Sequence, residues 1–161
     1  MARVLIVGCG CRGQELAREL AGGGHAVRGT TRDESHLGAI EAAGAEGVVA
    51  DPDRLGTLLP LLAGVTVVCW LMGTAEGDDV AALHGDRLDS LLGKLVDSGV
   101  RGLVYEAAGS VDAGLLDDGA ARVQAAGSVN SMPVAVIATA PSAHADWLAA
   151  ARAAVDEVLA G

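Results

Sequence analysis

Short apolar runs alternate along the chain with longer segments in which apolar positions recur every three or four residues. The runs occupy 3–7 (RVLIV), 26–30 (AVRGT), 47–50 (GVVA), 65–72 (VTVVCWLM), 102–107 (GLVYEA) and 133–139 (PVAVIAT). Runs of this length, rich in Val and bounded by Gly or polar residues, predict strands. The 65–72 run has no polar alternation, which suits a central strand covered on both faces. Helices are predicted over about 12–21, 34–43, 53–63, 80–97 and 114–127, and a last one within SAHADWLAAARAAVDEVLAG. Leu88, Leu91, Leu92, Leu95 and Val96 recur at helical spacing, and Leu148, Ala151, Val155, Val158 and Leu159 form one stripe. Gly22, Gly23 and Gly24 stop the first helix.

Strands alternating with helices predict a parallel sheet with right-handed crossovers and helices on both faces. Two strand-helix-strand-helix-strand halves give an α/β doubly wound sheet of six parallel strands, order 3-2-1-4-5-6. Its ligand crevice lies between the C-terminal edges of the first and fourth strands. The 161 residues, 51% hydrophobic, are enough for one core, and without a linker or repeat a single domain over 1–161 is expected.

Charge narrows the partners. A formal net charge of −10, with 11 basic residues scattered among 21 acidic ones, argues against nucleic acid and against a basic membrane-binding face. The opening MARVLIVGCG is too short in apolar length for a secretory segment, so a soluble, cytoplasmic protein is expected. Three cysteines, Cys9, Cys11 and Cys69, cannot all pair, and a reducing compartment keeps them as thiols. Aromatics make up only 2% of the chain, which leaves little for stacking on bases.

The motif that changes the picture is GCGCRG, Gly8 to Gly13, placed after the first strand and at a helix start. Gly8 permits the tight turn, Gly10 lets backbone approach a pyrophosphate, and Gly13 lets the helix pack on the strand. Free amides at the helix N-terminus then hold the anion. Cys9 and Cys11 are small side chains at variable positions of that turn. A metal site is not expected, since no further ligands stand at a recognisable spacing, although a thiol beside a helix start is a candidate for a lowered pKa. At the end of the second strand, where an acid would signal NAD, the chain has Thr30, Thr31 and Arg32. Two hydroxyls and a guanidinium suit a 2′-phosphate, so NADP is favoured over NAD.

Through RVLIVGCGCRGQELARELAGGGHAVRGTTRD, EGVVADPDRLGTLLPLLAGVTVVCWLMG and VRGLVYEAAGSV, the chain resembles the atypical extended short-chain dehydrogenase/reductases. That branch includes nitrogen metabolite repressor-like NADP sensors and nucleotide-sugar epimerase relatives. The resemblance covers about residues 3–112 and implies an NAD(P)-binding Rossmann domain. Within it, Arg32 would contact the 2′-phosphate, Asp51 the adenine amino group, and the segment 70–73, including Leu71, Met72 and Gly73, the ribose and nicotinamide side. The implied cofactor set is Gly8, Gly10, Cys11, Arg12, Gly13, Thr30, Thr31, Arg32, Asp51, Leu71, Met72 and Gly73.

The chain departs from that family in two places. Pro52 follows Asp51 and has no N–H to offer adenine. The family's Ser and Tyr-x-x-x-Lys relay is missing: Tyr105 lies within the fifth strand, Lys94 on the preceding helix, and Ser110 closes the segment where the Ser is expected. Substitute acid-base candidates are Glu106 at the crevice edge, for which a hydrogen-bonded loop carboxylate is the plainer expectation, His84 on the helix after the fourth strand, and Ser110. A solvated surface role is the plainer expectation for His84, as for His25, His36 and His144, and Asp112 or Ser110 suits a helix cap. Glu76, Asp78 and Asp79 read as acids drawn to a helix start. The alanine-rich flank of the last helix fits a twofold dimer contact.

Two functions follow: a divergent NADP-dependent reductase or epimerase-like enzyme, and a non-catalytic nucleotide sensor or partner-binding regulator. A single-domain regulator of potassium transport is a third, but such proteins usually keep an acid where Thr31 stands. With the chain ending at Gly161, a deep substrate pocket is expected only if a second subunit closes it.

Overall fold

In a computed structural model describing residues 1–161, the six apolar runs become the strands of one sheet. They are β1 (Arg3–Val7), β2 (Ala26–Thr31), β3 (Glu46–Val49), β4 (Val67–Trp70), β5 (Gly102–Glu106) and β6 (Val134–Ile137). Their order is β3-β2-β1-β4-β5-β6 and every pairing is parallel, which is the expected doubly wound α/β fold.

The sheet separates two cores, which is why its central strands are apolar without alternation. Val4 and Ile6 of β1 pack with Leu16 and Leu20 of α1 (Cys11–Gly22), Ile40 of α2 (Leu37–Ala42) and Val155 of α6 (His144–Ala160). Leu5 and Val7 face the other way. They meet the core containing Leu83 of α3 (Val80–Leu83), Leu88 and Leu95 of α4 (Asp86–Val96) and Val123 of α5 (Ala113–Asn130).

Several predicted elements are corrected. The helix expected over 53–63 is two 3₁₀ turns, Leu55–Thr57 and Leu59–Leu62, because Pro60 opens the second turn and supplies no N–H for a continuous α-helix. The helix expected over 80–97 breaks at His84 and Gly85. Gly85 leaves helical dihedrals (φ −130°, ψ −109°), while the His84 ring turns into the core. The helix expected over 34–43 starts as a 3₁₀ turn at Glu34–His36, where the Asp33 carboxylate accepts the Ser35 N–H at 2.9 Å. On α6 the fully buried stripe is Trp147, Ala151, Ala154, Val155 and Val158, with Leu148 and Leu159 only partly covered. The last strand before the crevice, β4, is shorter than its apolar run, and the residues after it form the crevice wall. No helix is long and apolar enough to cross a membrane.

Candidate functional site

The glycine turn after β1 has a separate physical requirement at each glycine. Gly8 has φ +84°, and a Cβ there would collide with Met72 Cε and lie 2.7 Å from the Leu71 carbonyl oxygen. A Cβ on Gly13 would sit 3.3 Å from the Gly8 carbonyl oxygen and 3.4 Å from Ile6 Cγ2, so glycine lets α1 press onto β1. Gly10 differs: its φ is −81°, and a Cβ would meet nothing within 4 Å. Gly10 is the N-cap of α1 and places no side chain over the helix start. The first-turn amides of Cys11, Arg12 and Gly13 lack intrahelical acceptors, and no side chain caps them.

The two cysteines of the turn diverge. Cys11 is exposed, whereas the Cys9 thiol fills a notch under Gly29, where an added Cβ would be 2.6 Å from its sulfur. Burial pushes the Cys9 thiol up to about 12, opposite to the lowering expected beside a helix start, and does the same to Cys69. Cys9 is a packing residue.

A crevice of about 370 Å³ opens at the C-terminal edges of β1, β2 and β4, at the reversal of strand order. Of the residues proposed from sequence, Gly8, Gly10, Arg12, Thr30, Thr31, Arg32, Leu71 and Met72 line it. Cys11, Gly13, Asp51 and Gly73 do not. Beyond β3 the chain turns, with the Arg54 N–H donating to the Asp51 carbonyl at 2.9 Å, and Ala50 and Pro52 line the crevice while Asp51 between them does not. There one Asp51 carboxylate oxygen accepts the Asp53 N–H at 2.9 Å.

The end of the crevice at β2 is polar. Thr30, fully buried, accepts the Gly8 N–H at 3.3 Å and so ties β2 to the turn. Thr31 Oγ1 accepts the Asp33 N–H at 3.1 Å. Arg32, half exposed, lies 3.6 Å from Asp53. Asp53 also meets Arg87 at 3.4 Å, and its carbonyl accepts Arg87 Nε at 2.7 Å. The Ser35 hydroxyl and N–H hold the Asp33 carboxyl below the usual carboxylate range. His36, Thr74 and Ala75 also line the crevice. His36 reads as a surface histidine in the sequence, but the 3₁₀ turn capped by Asp33 returns it to the opening, and the Asp33-Glu34-Ser35 cap spacing is the signal that would have located it.

Across the sheet, the carboxylate of Glu106 is fully buried and saturated. Oε1 accepts from Arg12 Nη2 at 2.6 Å and from Gly73 N at 2.8 Å; Oε2 accepts from Arg12 Nε at 2.7 Å and from Trp147 Nε1 at 2.9 Å. Glu106 stands at the end of β5, as its position suggests, yet it does not line the crevice. His84 is buried rather than solvated. Its Nε2 lies 3.0 Å from the Met72 carbonyl, which can only accept, so Nε2 carries the proton and Nδ1 accepts the Tyr105 hydroxyl at 2.5 Å. Burial lowers the His84 pKa from its usual range. Ser110 is exposed and outside the crevice, Lys94 is exposed on α4, and Asp112 caps α5 by accepting from Gly114 and Leu115. Glu76, Asp78 and Asp79 are exposed, and no three His, Cys, Asp or Glu side chains converge as a metal-holding group.

No protein-family model matches the chain, and no curated protein matches it either. Solved structures do. The UDP-glucuronic acid 4-epimerase of Bacillus cereus in complex with NAD is 14% identical, with a TM-score of 0.66 over 83% of this chain and 54% of that one. Vestitone reductase from alfalfa is 18% identical, with a TM-score of 0.62 over 84% of this chain and 56% of that one. Triphenylmethane reductase of a Citrobacter species, complexed with NADP(H), is 16% identical, with a TM-score of 0.62 over 84% and 48%. The chain thus spans about half the length of these structures. At such identities the likeness is one of fold: the chain has the doubly wound Rossmann fold of these epimerase and reductase structures.

Proposed function

We propose that the chain is an NADP(H)-binding Rossmann module that senses the nucleotide or presents it to a partner. The observation that carries this reading is the open position at Gly10 above an uncapped helix N-terminus, within a crevice at the sheet's switch point. The residues present fit the nucleotide. The uncapped start of α1, where Gly10 and Arg12 line the crevice, would receive its pyrophosphate, and Thr31, Arg32 and His36 its 2′-phosphate. Ala50 and Pro52 would lie against the adenosine, with Pro52 withholding the N–H that adenine would otherwise meet.

Bound NADPH would supply a hydride on its nicotinamide ring. The chain's own residues offer no proton relay to accompany it. Glu106 already accepts four hydrogen bonds, and His84 is enclosed between Tyr105 and Met72. These saturated groups favour the sensor over the enzyme. The reductase and epimerase names of the fold neighbours support the second reading, an NADP-dependent enzyme of that type, and consumption of NADPH with a carbonyl substrate would establish it.

The test is titration with NADPH and NADH, followed by thermal melting and calorimetry. At a hundredfold excess over Kd, stabilisation of about 2.7 kcal/mol is expected. Gly10→Ala should fold like the parent, because its Cβ meets nothing, and should lose at least about tenfold in affinity. Arg32→Ala should narrow the preference for NADPH over NADH. Absence of any nucleotide effect at millimolar concentration, or unchanged affinity in Gly10→Ala, would overturn the reading.

A further inference from the structure

We infer that the crevice grips only the phosphoadenosine diphosphate half of the dinucleotide and leaves the nicotinamide half in solvent, an inference that rests on the NADP(H) reading above. A doubly wound sheet has two mononucleotide-binding halves, β1–β3 for one nucleotide and β4–β6 for the other, meeting at the pyrophosphate. Here the lining contributed by the second half consists of Leu71, Met72, Thr74 and Ala75, all directly after β4. Nothing from the ends of β5 or β6 takes part.

Arg12 is the barrier. Its side chain runs from the first turn of α1 to the end of β5, where both Nε and Nη2 are bound to Glu106, and its guanidinium carbon stands 5.8 Å from the Trp147 ring. It crosses the C-terminal edge of the sheet where the second nucleotide half would lie. Behind it the loops after β4 and β5 are zipped together. Gly73 N–H donates to Glu106, Val111 N–H donates to the Gly73 carbonyl at 3.0 Å, and a Cβ on either Gly73 or Gly109 would collide with the facing backbone.

The wall is held from behind as well. The Met72 carbonyl accepts from His84, and His84 is pinned by Tyr105. Admitting a nicotinamide ring would require stripping donors from a buried carboxylate, which is strongly opposed. A ring outside the wall makes no contact that distinguishes its oxidation states. The domain is therefore blind to redox state: it reports how much NADP is present, not the ratio of NADPH to NADP⁺.

The test uses the full chain and calorimetric titration with NADPH, NADP⁺, 2′-phospho-ADP-ribose and nicotinamide mononucleotide. The first three are expected to bind with Kd values within about fivefold of one another, and the mononucleotide not at all at ~1 mM. The nicotinamide fluorescence of NADPH should keep its emission wavelength and intensity at saturation. The inference is overturned if NADPH or NADP⁺ binds more than about fivefold tighter than 2′-phospho-ADP-ribose, or if the emission shifts to the blue. Either result leaves the NADP(H) reading standing. Failure of every adenine nucleotide to bind would instead remove that reading, and this inference with it.

Discussion

Replacing Glu106 by Gln tests whether one carboxylate holds together four elements that are remote in sequence. Glu106 is wholly buried and each oxygen accepts two bonds, from Arg12 twice, from Gly73 and from Trp147. Whichever way the Gln amide is turned, its NH₂ faces two donors. Two hydrogen bonds are lost, and Arg12, whose side chain is 19% exposed, keeps its charge without a counter-ion. Removing one partner from a buried pair costs about 3–5 kcal/mol. For a chain of 161 residues at about 2–4 °C per kcal/mol, Tm should fall by about 6–20 °C.

Urea unfolding followed by tryptophan emission suits the assay, because Trp70 and Trp147 are both fully buried in the native state. Arg12→Met completes a double-mutant cycle with Glu106→Gln, and the coupling should be at least about 2 kcal/mol. At 1 M salt the Debye length is about 3 Å, yet the loss should persist, because solvent ions do not reach the carboxylate. A Glu106→Gln variant within about 1 kcal/mol of the parent, or a coupling near zero, would refute the account of this cluster.

Thiol accessibility gives a second test: with a thiol reagent at pH 8, one of the three cysteines, Cys11, should react in the native state, and all three in urea. Rapid native labelling of Cys9 or Cys69, both pushed up to about 12 by burial, would contradict the packing described for them. The His84 pKa is lowered in the fold, so below the unfolded value of 6.5 the unfolded chain binds the extra proton. Stability should therefore be level above pH 6.5 on account of this group and fall as pH drops below it toward the depressed folded value. Urea midpoints measured from pH 7.5 to 5.5 for the parent and His84→Gln check this; equal slopes in the two proteins would count against it.

The fold was legible because its signals are local. Apolar runs of four to eight residues between helical patterns define the strand order once the doubly wound connections are assumed, and Gly8, Gly10 and Gly13 mark the switch point. The 3₁₀ turns at 55–62 and the break at Gly85 escaped periodicity, which registers apolar spacing and not the loss of an N–H at Pro60 or the inward turn of one histidine. The polar core escaped it altogether. Arg12 and Glu106 are 94 positions apart, Glu106 and Trp147 are 41 apart, and only the sheet order brings them together. A carboxylate at a strand end looks like a general base until its donors are counted.

The charge balance of the crevice decides how strongly a 2′-phosphate can be preferred. The net charge of −10 opposes an anionic ligand at long range, but at physiological ionic strength the Debye length is about 8 Å, so contacts within the crevice dominate. Arg12 is neutralised by Glu106, which leaves Arg32 as the guanidinium able to change partners. Its contact with Asp53 is long, at 3.6 Å, and half exposed. Asp53 keeps Arg87 at 3.4 Å when Arg32 departs, so the exchange leaves no carboxylate unpaired. A weak exposed pair contributes at most about 1 kcal/mol, whereas charge-assisted hydrogen bonds to phosphate contribute about 1.5–3 kcal/mol. The difference, about 0.5–2 kcal/mol, is a preference of roughly 2- to 30-fold for the phosphorylated ribose. Added salt should narrow it, because Arg32 is open to solvent, while the pyrophosphate on the helix amides, which carry no mobile charge, should be affected less.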